Sequence, residues 1–130
     1  MDPVRYSLYL GGALYIAWAL FHLGFGRMFK WDVALAGLDY VNRTVYRIIN
    51  LCIAFLFLAA GGLTLAYAPD MLTPGLGLAL TAVLGAFWLF RLVLQLLMFK
   101  LSHPASQVLS FFFLLTLAAY AYPCWVVLGG

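Results

Sequence analysis

The chain has 130 residues, 67% of them hydrophobic and 8% charged, with a formal net charge of +3. A soluble domain carries about one quarter charged residues, so an ordinary water-soluble fold is excluded, and four apolar windows use most of the length and leave no room for a soluble domain beside them. The positive surplus is not a nucleic-acid footprint, because the basic residues gather at the ends of the apolar windows beside aromatic ones, and nucleic acid is not an expected partner.

A hydrocarbon layer of about 30 Å needs about 20 mostly apolar residues to cross it. The first such window covers residues 6–26. It has neither a basic leader nor an Ala-x-Ala-like cleavage site, so it reads as a permanent span instead of a removable signal. Gly11, Tyr15, Trp18 and His22 recur on it at helical spacing and share one face. The connection that follows, "RMFKWDVALAGLDYVNR" (27–43), mixes Met28, Phe29, Trp31, Val33, Leu35 and Leu38 with Lys30, Asp32 and Asp39. That pattern predicts a short interfacial amphipathic helix capped by Asp32, with Trp31 and Tyr40 in the aromatic belt.

The second window, 48–68, continues a stripe of Asn42, Tyr46, Asn50, Ile53 and Phe57. It is joined to the third, 72–99, by "YAPDMLTPG", whose prolines bracket Asp70 as a turn. Thr81, Leu84, Trp88, Arg91 and Gln95 line one face of the third window, and Arg91 is the charge that stands inside an apolar run. "KLSHP" then leads into the fourth window, 105–128, with Ser102 expected as the N-cap and Pro104 in the first turn. His103, Gln107 and Ser110 form its polar stripe. Short links imply antiparallel neighbours. The expectation is therefore one all-α domain, an integral membrane up-down four-helix bundle in which the second, third and fourth spans pack in sequence.

Arg27, Lys30, Arg43, Arg47 and Lys100 fall on one side of this topology, and Arg5 falls on the other. Positive loops are retained in the cytoplasm, so both termini should lie outside an inner (plasma) membrane, in the periplasm of a bacterial cell. Cys52 and Cys124 then sit at opposite depths, too far apart for a disulfide, whose Cα atoms must approach within about 7 Å.

Arg91 lies about 7 Å from the midpoint of its span at 1.5 Å rise per residue, and the nearest acid in sequence is Asp70. Burying such a charge costs roughly 3 kcal/mol on insertion scales unless it faces the bundle interior, pairs or reaches water. Three outlets are open: acceptors on Asn50, Tyr15, Tyr46 and Gln95; snorkelling to headgroups; or a bound anion. The polar stripes converge at the depth of Arg91, and the outer half is expected to be almost wholly apolar, with Ala59, Ala60, Gly61, Gly62, Ala118 and Ala119 allowing close helix approach. The candidate ligand-binding set is Arg91, Asn50, Gln95, His22, Tyr15, Tyr46, Gln107 and His103. Plainer readings stand beside it: Arg91 snorkelling to lipid phosphate or satisfied by side-chain oxygens, Asn50 and Gln95 as interhelical glue, His22 as a belt residue and His103 exposed at the first turn of the fourth span. His22 and His103 would be the ligands of a haem, the less favoured option, and no metal site is expected because no third ligand lies at their depth.

No recognisable catalytic constellation is present, so enzymatic activity is not the leading expectation. The leading one is binding of an amphiphile with an anionic or carbonyl head, such as a phospholipid, isoprenoid or quinone. The alternative is an accessory subunit of a larger membrane complex; anion or lipid transport is less favoured and would call for a homo-oligomer, because four helices enclose little volume. Membrane lipids are the expected partners.

Overall fold

The computed structural model describes residues 2–130, and every element among them is helical. Four helices are long and apolar enough to cross a membrane: α1 (Pro3–Leu23), α4 (Tyr40–Met71), α5 (Leu76–Met98) and α6 (Pro104–Gly129). They pack as an up-down bundle and give the chain the make-up of a multi-pass membrane protein. Two single-turn helices, α2 (Phe25–Met28) and α3 (Trp31–Ala34), lie in the connection between α1 and α4.

Local chemistry sets the helix ends. The Asp2 carboxylate accepts from Val4 N–H at 3.1 Å, and Pro3 follows where a missing N–H costs nothing. At α6 the cap is His103, not Ser102: its Nδ1 accepts from Ala105 N–H at 3.2 Å, with Pro104 in the first turn as expected. Asp32 is not a cap either, because Lys30, at φ +50°, opens α3 while Asp32 lies in its first turn and pairs with Arg47 at 3.2 Å. The one amphipathic helix expected in 27–43 is thus two separate turns, since the left-handed residue at Lys30 interrupts the chain between them. α4 begins eight residues before its apolar window and ends just after Pro69, with a kink at Tyr67 (φ −121°, ψ 24°). Proline removes one backbone donor and crowds the preceding turn, which accounts for that kink.

The helices associate as two pairs, α1 with α4 and α5 with α6, joined along α1 and α6. The α4–α5 seam is the thinnest, although these helices are successive in the chain. Residue size explains the departure from packing in sequence. α1 and α4 cross where Gly12 and Gly61 meet, and a Cβ built on Gly61 would lie 2.7 Å from the Gly12 carbonyl oxygen. Between α4 and α5, by contrast, Phe57 stands against Phe87 and Trp88 at 5.4 Å between ring centroids, and such rings keep backbones apart.

At mid-height the core is aromatic. Tyr15, Trp18, Phe57, Trp88, Phe113 and Tyr120 are all buried, and Trp18 lies 5.3 Å from Trp88 and 4.8 Å from Phe113. The half away from the basic helix ends, expected to be the outer one, is less purely apolar than expected. Thr64, Thr81, Thr116 and Tyr120 are fully buried there or at mid-height. Thr64 and Thr116 donate to the carbonyl one turn back, which hides each hydroxyl within its own helix, whereas the Thr81 hydroxyl lies closest to the Met71 carbonyl at the end of α4, at 2.8 Å. Several reach further: Trp18 Nε1 donates to Thr116 Oγ1 at 3.1 Å, and the Tyr120 and Thr64 hydroxyls meet at 2.8 Å. Cys52 and Cys124 are both free.

Candidate functional site

The buried polar groups of the basic half, the half ending at Leu23, Tyr40, Met98 and Pro104, form two clusters. The first ties α5 to α6. Arg91 Nη1 donates to Gln95 Oε1 at 3.1 Å, and Gln95 Nε2 donates to Ser106 Oγ at 2.9 Å. Gln95 is fully buried and Ser106 is nearly so. Arginine and glutamine stand four apart on one helix, so their side chains meet over one turn. The Arg91 guanidinium carbon also lies 4.4 Å from the centroid of Phe113.

This geometry decides how the charge is held. The guanidinium is held between Phe113, nine residues into α6, and Gln95, one turn nearer the basic end of α5. A hydrogen bond from a charged donor contributes about 1.5–3 kcal/mol and a cation–π contact about 0.5–2 kcal/mol. Together they are of the same order as the roughly 3 kcal/mol insertion cost.

The second cluster ties α1 to α4. His22 Nδ1 and Asn50 Oδ1 lie 2.9 Å apart, and Asn50 Nδ2 donates to the His22 carbonyl oxygen at 2.8 Å. The His22 ring packs on Phe25 at 4.2 Å and edge-on to Phe57 at 5.3 Å. Phe57, Trp88 and Phe113 then form a continuous aromatic bridge from His22 to Arg91. Asn50→Ala removes both arms of the clamp. It is expected to lower stability by about 1–2 kcal/mol, at the upper end of measured interhelical hydrogen bonding in membranes, as read by denaturant titration in bicelles.

Four members of the candidate set therefore gather around this half: Arg91, Gln95, His22 and Asn50. The other four belong to neither cluster, although Tyr46, Gln107 and His103 lie at the same basic end. Tyr15 sits in the mid-height core, where its hydroxyl donates to the Leu84 carbonyl at 3.0 Å. Tyr46 is exposed and packs edge-on to the buried Trp31 at 5.0 Å. Gln107 is exposed and donates to the Leu101 carbonyl, and His103 is exposed and caps α6. Helical phase explains the α6 miss. Ser106, Phe113 and Tyr120 recur every seven residues and form the buried face, one position away from the Gln107 stripe. That repeat is readable in the sequence and would have identified Ser106.

The best-formed hollows lie away from Arg91. A groove of about 570 Å³ runs between α5 and α6 in the half nearest the chain termini, floored by Ala82, Gly85, Ala86 and Ala121 and walled by Leu117 and Trp125. A smaller one, about 270 Å³, lies by the α4–α5 turn near Leu63, Tyr67 and Leu76. Among the described residues no group of three or more His, Cys, Asp or Glu side chains is placed to hold a metal ion. No protein-family model, no curated protein and no solved structure matches the chain.

Proposed function

We propose that this protein is a plasma-membrane protein that holds an amphiphile by an anionic or carbonyl head, phospholipid, isoprenoid or quinone, with Arg91 as the recognising group. The observation that carries the reading is the unspent bonding capacity of Arg91. A guanidinium has five N–H donors; among the described residues this one makes a single hydrogen bond, to Gln95, and it is half-buried. Its Cα lies seven residues, about 10 Å, inside the end of α5, the depth of a lipid head drawn slightly into the bundle. Gln95 and Phe113 fix the fork, so its remaining donors are presented in a set direction to a phosphate or carbonyl oxygen.

In this reading the basic end faces the cytoplasm and both termini lie outside, in accord with the gathering of Arg27, Lys30, Arg43, Arg47 and Lys100. The exposed Met28, Phe29 and Val33 of the α1–α4 connection rest among headgroups. The outer α5–α6 groove favours a second reading, an accessory subunit that seats a helix of a larger complex on its small-residue floor.

Arg91→Leu is expected to reduce lipid retained from mixed-lipid nanodiscs by about tenfold or more, the loss of a charge-assisted hydrogen bond, while the helical fold survives with a lower thermal midpoint because Gln95 loses its partner. Native mass spectrometry of both proteins provides the check. Unchanged retention with an intact fold removes the binding reading and leaves the accessory one.

A further inference from the structure

Proline within a helix lacks the N–H that would bond the carbonyl four residues back. Pro123 therefore frees the Ala119 carbonyl of α6, and in an apolar surround that oxygen needs a donor from elsewhere. Ser7 supplies it from α1, its Oγ donating to the Ala119 oxygen at 2.7 Å. Thr64, Ser110 and Thr116 instead bond the carbonyl one turn back in their own helices. α4 offers the comparison. Pro69 frees the Leu65 carbonyl, no side chain among the described residues donates to it, and α4 leaves helical geometry at Tyr67. α6, with Ser7 in place, remains helical through Pro123 to Gly129.

The two sides of Pro123 are held differently. Before it, Trp18 bonds Thr116 at 3.1 Å and the Tyr120 and Thr64 hydroxyls meet at 2.8 Å. The Tyr120 ring also fills the notch at Gly11, where an added Cβ would lie 2.6 Å from it. Beyond Pro123, residues 124–130 contribute no buried side chain. Cys124, Trp125 and Leu128 of that segment line the α5–α6 groove, so the groove changes width when the segment moves. We infer that Pro123 is a hinge in α6 and that the Ser7 hydroxyl is its latch, which holds the end of α6 straight and the groove at its present width. Once released, the hydroxyl can turn to the Pro3 carbonyl one turn back in α1. A helix bends away from the face that carries its proline, because the ring crowds the carbonyl behind it. Pro123 is fully buried, so the end of α6 swings outward and the groove opens. The Ala119 oxygen then has no donor, which makes the open form the minor one in the wild-type protein.

The test measures the position of that end against α5. Nitroxide labels are placed through Val83→Cys and Leu128→Cys, both at exposed positions, after Cys52→Ser and Cys124→Ala remove the native thiols. Double electron–electron resonance in nanodiscs then gives the distance between them. A kink of about 20° acting over the stretch from Pro123 to Leu128, about 7.5 Å long, moves the tip by about 3 Å. Ser7→Ala is therefore expected to lengthen or broaden the distance by about 3 Å. Pro123→Ala returns an N–H to the Ala119 carbonyl, so Ser7→Ala added to Pro123→Ala is expected to leave the distance as it is in Pro123→Ala alone. An unshifted distance in Ser7→Ala overturns the inference. So does an equal shift with and without the proline, which makes Ser7 a packing residue unconnected with Pro123. Should Ser7→Ala fail to fold, the double variant decides: a folded, monodisperse double variant supports the latch, and one that also fails overturns it. None of these outcomes bears on Arg91.

Discussion

Trp88→Ala is expected to destabilise the bundle by about 3–5 kcal/mol, the range for truncating a large aromatic residue in a packed core. Trp88 is 1% exposed and touches five other rings, Tyr15, Trp18, Phe57, Phe87 and Phe113, at centroid distances between 5.1 and 5.6 Å. It therefore holds all four long helices together, and the cavity left by alanine cannot be closed by moving one helix. Trp88→Phe separates ring packing from the polar part of the side chain. Nε1 is buried without a hydrogen-bond partner; it lies by the Tyr15 hydroxyl without bonding geometry. An unsatisfied buried donor costs about 1–3 kcal/mol, so phenylalanine loses ring area and sheds that penalty together. The net change for Trp88→Phe should be about 1 kcal/mol or less, whereas Trp18→Phe also gives up the bond to Thr116. Steric-trap or denaturant unfolding in bicelles measures all three, and a Trp88→Phe loss as large as that of Trp88→Ala would show that the six-membered ring alone does not maintain the stack.

Gly61→Leu should be comparably damaging for the opposite reason. The first added carbon would lie 2.7 Å from a backbone oxygen of Gly12 and 2.8 Å from Ile16 Cδ1. A flexible side-chain end can move aside; a carbonyl in the middle of a helix cannot, so α1 and α4 must separate. Overpacking of this kind costs about 3 kcal/mol or more when backbone has to shift. It would also pull His22 from Asn50, since the clamp lies on the same seam. Gly62→Leu is the control. Nothing lies within 4 Å of a Cβ at Gly62, and a change there should fall within about 0.5 kcal/mol of the parent. A thermal unfolding series of the two variants in one detergent separates them, and equal midpoints would mean that the Gly12–Gly61 crossing is not a tight contact.

The candidate site was partly legible before any coordinates. Arg91, Gln95, His22 and Asn50 could be chosen from depth and helical spacing because a polar residue in an apolar window has few places to go. The pairings among them could not. Periodicity puts Asn50 and Arg91 on inward faces, but the rotation and distance of neighbouring helices decide that Asn50 meets His22 while Arg91 meets Gln95 and Phe113. Tyr15 illustrates the limit most clearly: its face was right, yet its hydroxyl goes to the Leu84 carbonyl, a backbone partner that no side-chain pattern encodes. Gln107 was misplaced by one helical position, because α6 is apolar nearly all round and its inward face is marked only by the faint Ser106, Phe113, Tyr120 repeat, whereas His103 is exposed because it precedes the helix as its N-cap.

By itself the amino-acid sequence determined the apolar character of the chain, the number of long apolar helices and the class of fold, because hydrophobicity over about 20 residues is a local property that neighbours cannot alter. It also isolated the one charge inside an apolar run. The tertiary structure decided which helices are true neighbours, with α4 against α1 more than against α5, since interhelical distance depends on which small and large residues meet at each crossing. It likewise decided that Asn50 clamps His22 and that Phe113 lies under Arg91. Both are contacts between different helices, fixed by packing and by no local rule of spacing.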